Sequence, residues 1–292
     1  MELSRFLRVG IIWVTALIAP ALFAQTNCDE GAGPLDSAQP KGITVDQIIS
    51  KFAAREAMFK EARTKYAYTQ DITVQEFEGT NVTGEFRLVQ DIIYDDKGNR
   101  LENVKLAPQP SLRQVSLSKE DYDDFRNEMP FVLTTQELPQ YNLLYTGQQH
   151  VDEIDTFVFD IAPKTIQKGH RYFQGRAWVD QKDLQVVKTC GKSVPETRAQ
   201  NTNKKKARNV QENLTPKFVT YREQIDGQYW FPTYTMADDV LHFRTNDVHI
   251  REIIKYTNYK RFGAKSTIIY KGEAKPDSQT SPKKEEPSAN KP

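Results

Sequence analysis

The chain has 292 residues, enough for one large domain or two small ones. Its formal charge is +1, with 40 basic against 39 acidic side chains, which gives no electrostatic case for a nucleic-acid partner. Two cysteines and four histidines are thin material for a metal centre, and neither a metal nor a cofactor is expected.

Residues 1–24 read as a secretory signal peptide. Arg5 and Arg8 precede an apolar stretch, Val9–Phe23, and Ala24 stands before the polar Gln25. The stretch is shorter than the roughly 20 residues of a membrane span, and Pro20 would interrupt a helix there. An uncleaved N-terminal anchor is the other reading, and both place the remainder outside the cytoplasm. Cys28 lies four residues beyond the expected cut rather than at it, which argues against a lipoprotein. In an oxidising compartment Cys28 and Cys190 can form one bridge tying the N-terminal tail to the body; two free thiols are the alternative.

Residues 25–42 read as a flexible leader, since Asp29–Gly42 is rich in Gly, Pro and Ser. Thr44 and Gln47 then have the form of a capping box, and Val45, Ile48, Ile49, Phe52 and Phe59 recur at helical spacing. From Tyr66 the period changes to two. Strands are expected from Tyr66, over Val82–Tyr94 and, after the Asp95–Asn99 turn, over Arg100–Leu106. Ser118 opens a second helix reaching about Glu128, which Pro130 ends, and an apolar connector runs to Pro139. Strands resume over Tyr141–His150, Thr156–Pro163, His170–Val179, Leu184–Lys192, Lys217–Ile225, Gln228–Met236, Val240–Arg244 and Val248–Phe262. Asp226-Gly227 is a strong hairpin signal, because both turn residues need positive φ. Two stretches read as disordered, a polar loop at about 196–213 and the tail 272–292. The single domain is therefore 43–271, and no internal repeat is found.

The fold class expected is mainly β (α+β): about ten or eleven antiparallel strands in chain order, with two main helices. So many strands in a flat sheet would leave exposed edges, so the sheet should curl, and its concave face is the surface for the helices to cover. The 31 Phe, Tyr and Trp residues either fill that concave space or line an apolar pocket in it. The pocket candidates are Phe86, Phe125, Phe131, Leu133, Phe157, Phe159, Phe173, Trp178, Trp230 and Tyr234. Pro130 and Pro139 bracket the expected hinge of a lid.

Gly175–Asp180 with Leu184–Lys188, and Tyr221–Ile225 with Asp226–Thr233, resemble the periplasmic outer-membrane lipoprotein carriers and their relatives, the LolA/LolB-like superfamily. The likeness covers roughly Thr44–Phe262 and is nearer to "outer membrane lipoprotein-sorting protein" type sequences than to the carrier itself. It implies a periplasmic, unclosed half-barrel capped by helices and holding acyl chains. It also implies a strand arginine that helps hold the lid shut, for which Arg87 is the loose candidate.

The chemistry of an enzyme is not legible. There is no HExxH, no GxSxG elbow and no glycine-rich phosphate loop, and His170 lacks a nucleophile partner. Asp95-Asp96 and Asp238-Asp239 stand beside expected turns, where aspartate has a structural task. The expected function is passive binding or carriage of a lipid or acylated lipoprotein. An envelope-sensing or protein-interaction module is the alternative, and a hydrolase is a weaker third. Lys204–Arg208 could touch a membrane surface transiently, though such a run is more often a solvated loop.

Overall fold

The computed structural model describes residues 26–196, 214–243 and 245–262. The signal-peptide reading of 1–24, most of the polar loop with its Lys204–Arg208 run, and the tail 272–292 lie outside the described residues.

Helix α1 spans Val45–Ala62, opened by the reciprocal capping box. The Thr44 side chain accepts from the Gln47 N–H at 3.3 Å, and Gln47 Oε1 accepts from the Thr44 N–H at 3.0 Å. Its buried stripe is Ile48, Phe52, Ala53, Glu56 and Phe59, so a carboxylate sits inside the apolar face. A short helix α2, Lys119–Asp123, starts from a second capping box at Ser118 and widens into a π-helical turn over Asp124–Glu128 before Pro130.

Ten strands are present among the described residues: β1 Tyr66–Glu78, β2 Asn81–Tyr94, β3 Arg100–Leu106, β4 Tyr141–Val151, β5 Ile154–Pro163, β6 Tyr172–Asp180, β7 Val186–Val194, β8 Phe218–Ile225, β9 Tyr229–His242 and β10 Asp247–Arg261. They form a single sheet in the order β3-β2-β1-β10-β9-β8-β7-β6-β5-β4, with every neighbouring pair antiparallel. The edges β3 and β4 do not pair, so the barrel is unclosed.

Two expectations are corrected here. A strict chain-order meander would set β4 beside β3. Instead the connector carrying α2 separates them, and β10 returns to pair with β1, for example Ile72 opposite Ile254. The expected separate strand Val240–Arg244 is the end of β9, which runs unbroken to His242. Asp238 is therefore a mid-strand residue rather than a turn residue. It is buried and tolerated because His249 Nε2 (2.5 Å) and Arg251 Nε (2.7 Å) reach it from β10.

Strands about 4.8 Å apart make a flat ten-stranded sheet roughly 43 Å wide, and a helix is only about 10 Å across. Yet one apolar cluster joins Ile48, Phe52 and Ala53 of α1 to residues of nearly every strand, from Phe86 on β2 through Ile72 and Ile254 to Phe173 and Phe159. That contact requires the sheet to curl around α1. Side chains of the opposite parity, such as Val158 and Trp178, form a second cluster with Val151, Val187, Cys190 and Val219 on the outer face.

The leader is not free. Gly33 donates to the His150 carbonyl at 2.7 Å, and Asp36 and Gln148 exchange backbone bonds at 2.8 and 2.7 Å. Edge strand β4 offers unpaired backbone groups, and the leader satisfies them. Gly147 is needed there because the Asp36 carbonyl leaves no room for a side chain. The structure joins Cys28 to Cys190 on β7. Beside it, buried Lys188 donates to the Glu30 carbonyl at 2.7 Å and lies against the rings of Trp178 and Tyr221. The leader thus covers the outer apolar cluster.

Cys28→Ser should lower stability by about 2–4 kcal/mol, as expected for a cross-link closing a long loop. Hydrogen exchange at Gly33 and Asp36 should accelerate while β1 stays protected. Unchanged exchange in the leader would contradict the anchoring role.

Candidate functional site

The ten pocket candidates divide between the two faces. Phe86, Phe125, Phe131, Leu133, Phe157, Phe159 and Phe173 are all buried and belong to the concave cluster. They pack on α1 and on one another: Phe52 and Phe159 lie 5.6 Å apart between ring centroids, and Phe131 stacks on Phe173 at 4.4 Å. The centre of the half-barrel is filled by side chains. Trp178, Trp230 and Tyr234 point to the outer face. Trp178 donates to Gln149 at 2.7 Å and Trp230 to Asp183 at 2.8 Å, while Tyr234 stands opposite Tyr221.

Arg87 faces outward too, and pairs with Asp71 at 2.9 Å on the exposed surface. The residue that ties helix to strand is Arg222 of β8, which the sequence reading missed. Its Nη1 donates to both carboxylate oxygens of Glu56 on α1, at 2.9 and 3.1 Å, and its Nη2 donates to the Phe131 carbonyl. Both side chains of the pair are 1% exposed. Burial pushes the Glu56 carboxyl above its ordinary range, and the Arg222 guanidinium pulls it back. One arginine therefore clasps α1, the sheet and the connector. Thr220 adds a bond to the Met129 carbonyl at 2.7 Å, and Gln70 one to the Phe125 carbonyl at 3.2 Å. Of the hinge candidates, Pro130 is buried beside this clasp, and Pro139 lies in a 3-10 turn, Leu138–Gln140. The signal for the clasp was a glutamate four residues after Phe52 and three before Phe59, inside an apolar stripe that demands a cation.

Open space remains at one end of the concave face. A cavity of about 640 Å³ is bounded by Val74 of β1, Leu241 of β9, Ile250 and Glu252 of β10, the start of α2 with the segment before it, and the turn at Gly169–Arg171. The segment before α2 is held by Glu76, whose carboxylate accepts the N–H groups of Arg113, Gln114 and Val115 at 2.7–3.2 Å. Arg171 is bound to Asp124 at 2.5 and 3.0 Å.

Three polar side chains interrupt the inward apolar series of β1 and β10. Gln70 bonds Phe125, Gln90 and Arg100, and Glu76 holds the loop. Glu252 is the exception: it is 6% exposed, and no described residue hydrogen-bonds its Oε2. Burial raises its carboxyl to about 8, helped by the charges of Asp121, Asp124 and Asp239. Glu128, nearer the connector, is raised to about 7, again chiefly by burial. A second, shallower groove of about 1030 Å³ lies beside the disulfide, where Leu144, Arg176 and Lys192 line it.

Among the described residues no three His, Cys, Asp or Glu side chains are arranged to hold a metal ion. His150 and His242 are each paired with a surface aspartate, Asp155 and Asp247, at 2.9 Å. His170 borders the end cavity.

No family model matches the chain, and no curated protein matches it. Solved structures with a similar arrangement include a DUF1329 family protein from Desulfovibrio piger, at 14% identity over 74% of this chain and 95% of that one, TM-score 0.34. A LolA superfamily protein from Nitrosomonas europaea is similar at 12% identity over 72% and 94%, TM-score 0.32. An outer membrane lipoprotein-sorting protein domain from Vibrio parahaemolyticus is similar at 11% identity over 73% and 93%, TM-score 0.33. Identities and scores this low carry no argument about function, and the unclosed half-barrel rests on the strand order itself.

Arg222→Met should cost about 3–5 kcal/mol in urea unfolding, because it strands the Glu56 charge in the core. The double variant Glu56→Leu, Arg222→Met should recover much of that. A single variant as stable as the parent would contradict the clasp. Glu252 gives a pH prediction. Its folded-state pKa of about 8 exceeds its ordinary 4.5, so the folded protein keeps a proton that the unfolded chain releases. Its contribution is full below 4.5 and is lost as pH rises through about 8. Glu252→Gln should flatten the fall in unfolding midpoint between pH 5 and pH 9; an unchanged slope would refute the assignment.

Proposed function

We propose that this chain is a periplasmic binding or carrier protein, not an enzyme, that takes an apolar group of a lipid or acylated lipoprotein into the end cavity. The observation that carries the reading is the cavity itself. Its volume of about 640 Å³ lies within the range of small-molecule sites, and its apolar wall brings Val74 of the main core together with Leu241 and Ile250 of a separate apolar cluster. Binding is passive: each methylene transferred from water stabilises the complex by about 0.8 kcal/mol. No cofactor takes part. The connector between Ser118 and Pro139 borders the cavity at its start and is clasped by Arg222 further on, so motion there is the means of entry and release.

A second reading, an envelope-sensing or protein-interaction module, is favoured by one observation. Edge strand β3 exposes Leu101, Val104 and Leu106, each about half accessible, on an edge with no neighbouring strand among the described residues.

The test is a native mass spectrum of protein purified from the periplasm of an expressing bacterium, followed by lipid extraction. A co-purifying acyl species is expected. A clean unliganded mass, with no uptake of a fluorescent fatty acyl probe, would overturn the carrier reading and favour the interaction module.

A further inference from the structure

On the inward face of this half-barrel the Thr189 and Ser193 hydroxyls have no hydrogen-bond partner among the described residues, but the buried carboxylate and amide side chains of β1 and α1 do. Glu56 has Arg222, Gln70 has Arg100 and two further partners, and Glu76 has three backbone N–H donors. Glu252 alone among these four has an oxygen for which no described residue provides a donor. It is not placed at random, since it lies in the wall of the end cavity. A void of about 10 Å³ behind it, beside Asp121 and Asp124, is at the lower limit for a single water and could not neutralise a charge.

The surroundings fix the sign of what Glu252 would accept. Five carboxylates and two cationic side chains border the cavity among the described residues. Both cations are already engaged, Arg171 with Asp124 and Lys119 with Asp123 at 2.6 Å. An anionic head, such as a free fatty acid, would meet Glu252, Asp121 and Glu120 with no uncommitted lysine or arginine among the described lining residues. A cationic head would neutralise Glu252, which is 6% exposed in the cavity wall. The opposite requirement comes from Val74, Leu241, Phe243 and Ile250, which line the same space and need an apolar body against them.

We propose that the end cavity selects an amphiphile with an ammonium head, the ammonium seated on Glu252 with Asp121 beside it and the apolar chain lying on Ile250, Leu241 and Phe243. This rests on the reading of that cavity as the ligand site. An empty site holds Glu252 largely protonated at neutral pH, and the arriving ammonium draws it into its ionised form, so binding releases a proton. The ammonium could come from a lipid headgroup or from a long-chain amine carrying no phosphate.

The experiment is isothermal titration of the full chain at pH 7 with dodecylammonium, dodecanol and dodecanoate, each below its micelle concentration, repeated with Glu252→Gln and Glu252→Leu. The parent should bind dodecylammonium about tenfold or more tightly than dodecanol, the size expected of a hydrogen bond to a charged group. Dodecanoate should be the weakest. Both variants should still bind dodecanol but lose the preference for the amine. Equal affinity for the three heads, or a preference that survives both substitutions, overturns the proposal while leaving the cavity as an acyl site. Failure of all three chains to bind overturns the cavity reading itself. Lysophosphatidylethanolamine separates the sources. Binding that depends on Glu252 assigns the ammonium to a headgroup, and rejection beside bound dodecylammonium assigns it to an amine without a phosphate.

Discussion

Ten antiparallel strands can share one helix only by wrapping around it, and most of this molecule follows from that constraint. The curl sets residues of distant strands, such as Phe86 and Phe159, in one cluster with α1. It also gives the sheet a concave side whose middle must be filled, because side chains of nearly every strand converge there. Phe52, Phe131, Phe159 and Phe173 do the filling. Space of ligand size remains at the end bounded by β1, β9 and β10 and roofed by the segment entering α2. A site in such a fold belongs at the rim of the concavity rather than at its centre.

The same curl sets the energetics of polar groups. A residue of inward parity is desolvated whatever its chemistry, so each inward carboxylate must find a partner or take up a proton. Glu56 answers with an arginine and Glu76 with a loop, and in both cases the bond ties an element outside the sheet to it. Glu252 answers with protonation. A buried carboxyl with a strongly raised pKa in a cavity wall marks a candidate binding site. The outer face obeys a different rule. There the leader, pinned by Cys28, supplies backbone partners for β4 and a roof for Trp178, so one edge of the open sheet is protected, while β3 has no strand beside its outer edge among the described residues.

Local chemistry was well written in the sequence. The capping box at Thr44, the helix cap at Ser118, the turn at Asp226-Gly227 and the bounds of β3 are set by neighbouring residues and could be read directly. What failed depended on register between distant strands. Phe159 and Trp178 looked alike as strand aromatics, but Phe159 pairs with Ala177, which turns Trp178 to the opposite face. Asp238-Asp239 looked like a turn because the partners that make Asp238 tolerable, His249 and Arg251, come from another strand. The leader had the composition of a linker, and only Cys28 hinted that it was fastened. Two signals were legible and passed over. Glu56 breaks the apolar stripe of α1, and Glu252 breaks the alternation Val248, Ile250, Glu252, Ile254.

The claim on which the account turns is the location of the ligand, at the open end of a half-barrel whose centre is full. A crystal structure of the chain with a dodecyl ligand carrying a terminal bromine would locate it through the anomalous signal of that atom. The account predicts bromine against Ile250, Leu241 or Phe243, with the rings of Phe159 and Phe173 undisturbed. Bromine between those two rings and α1, or on the outer groove by Leu144, would contradict it.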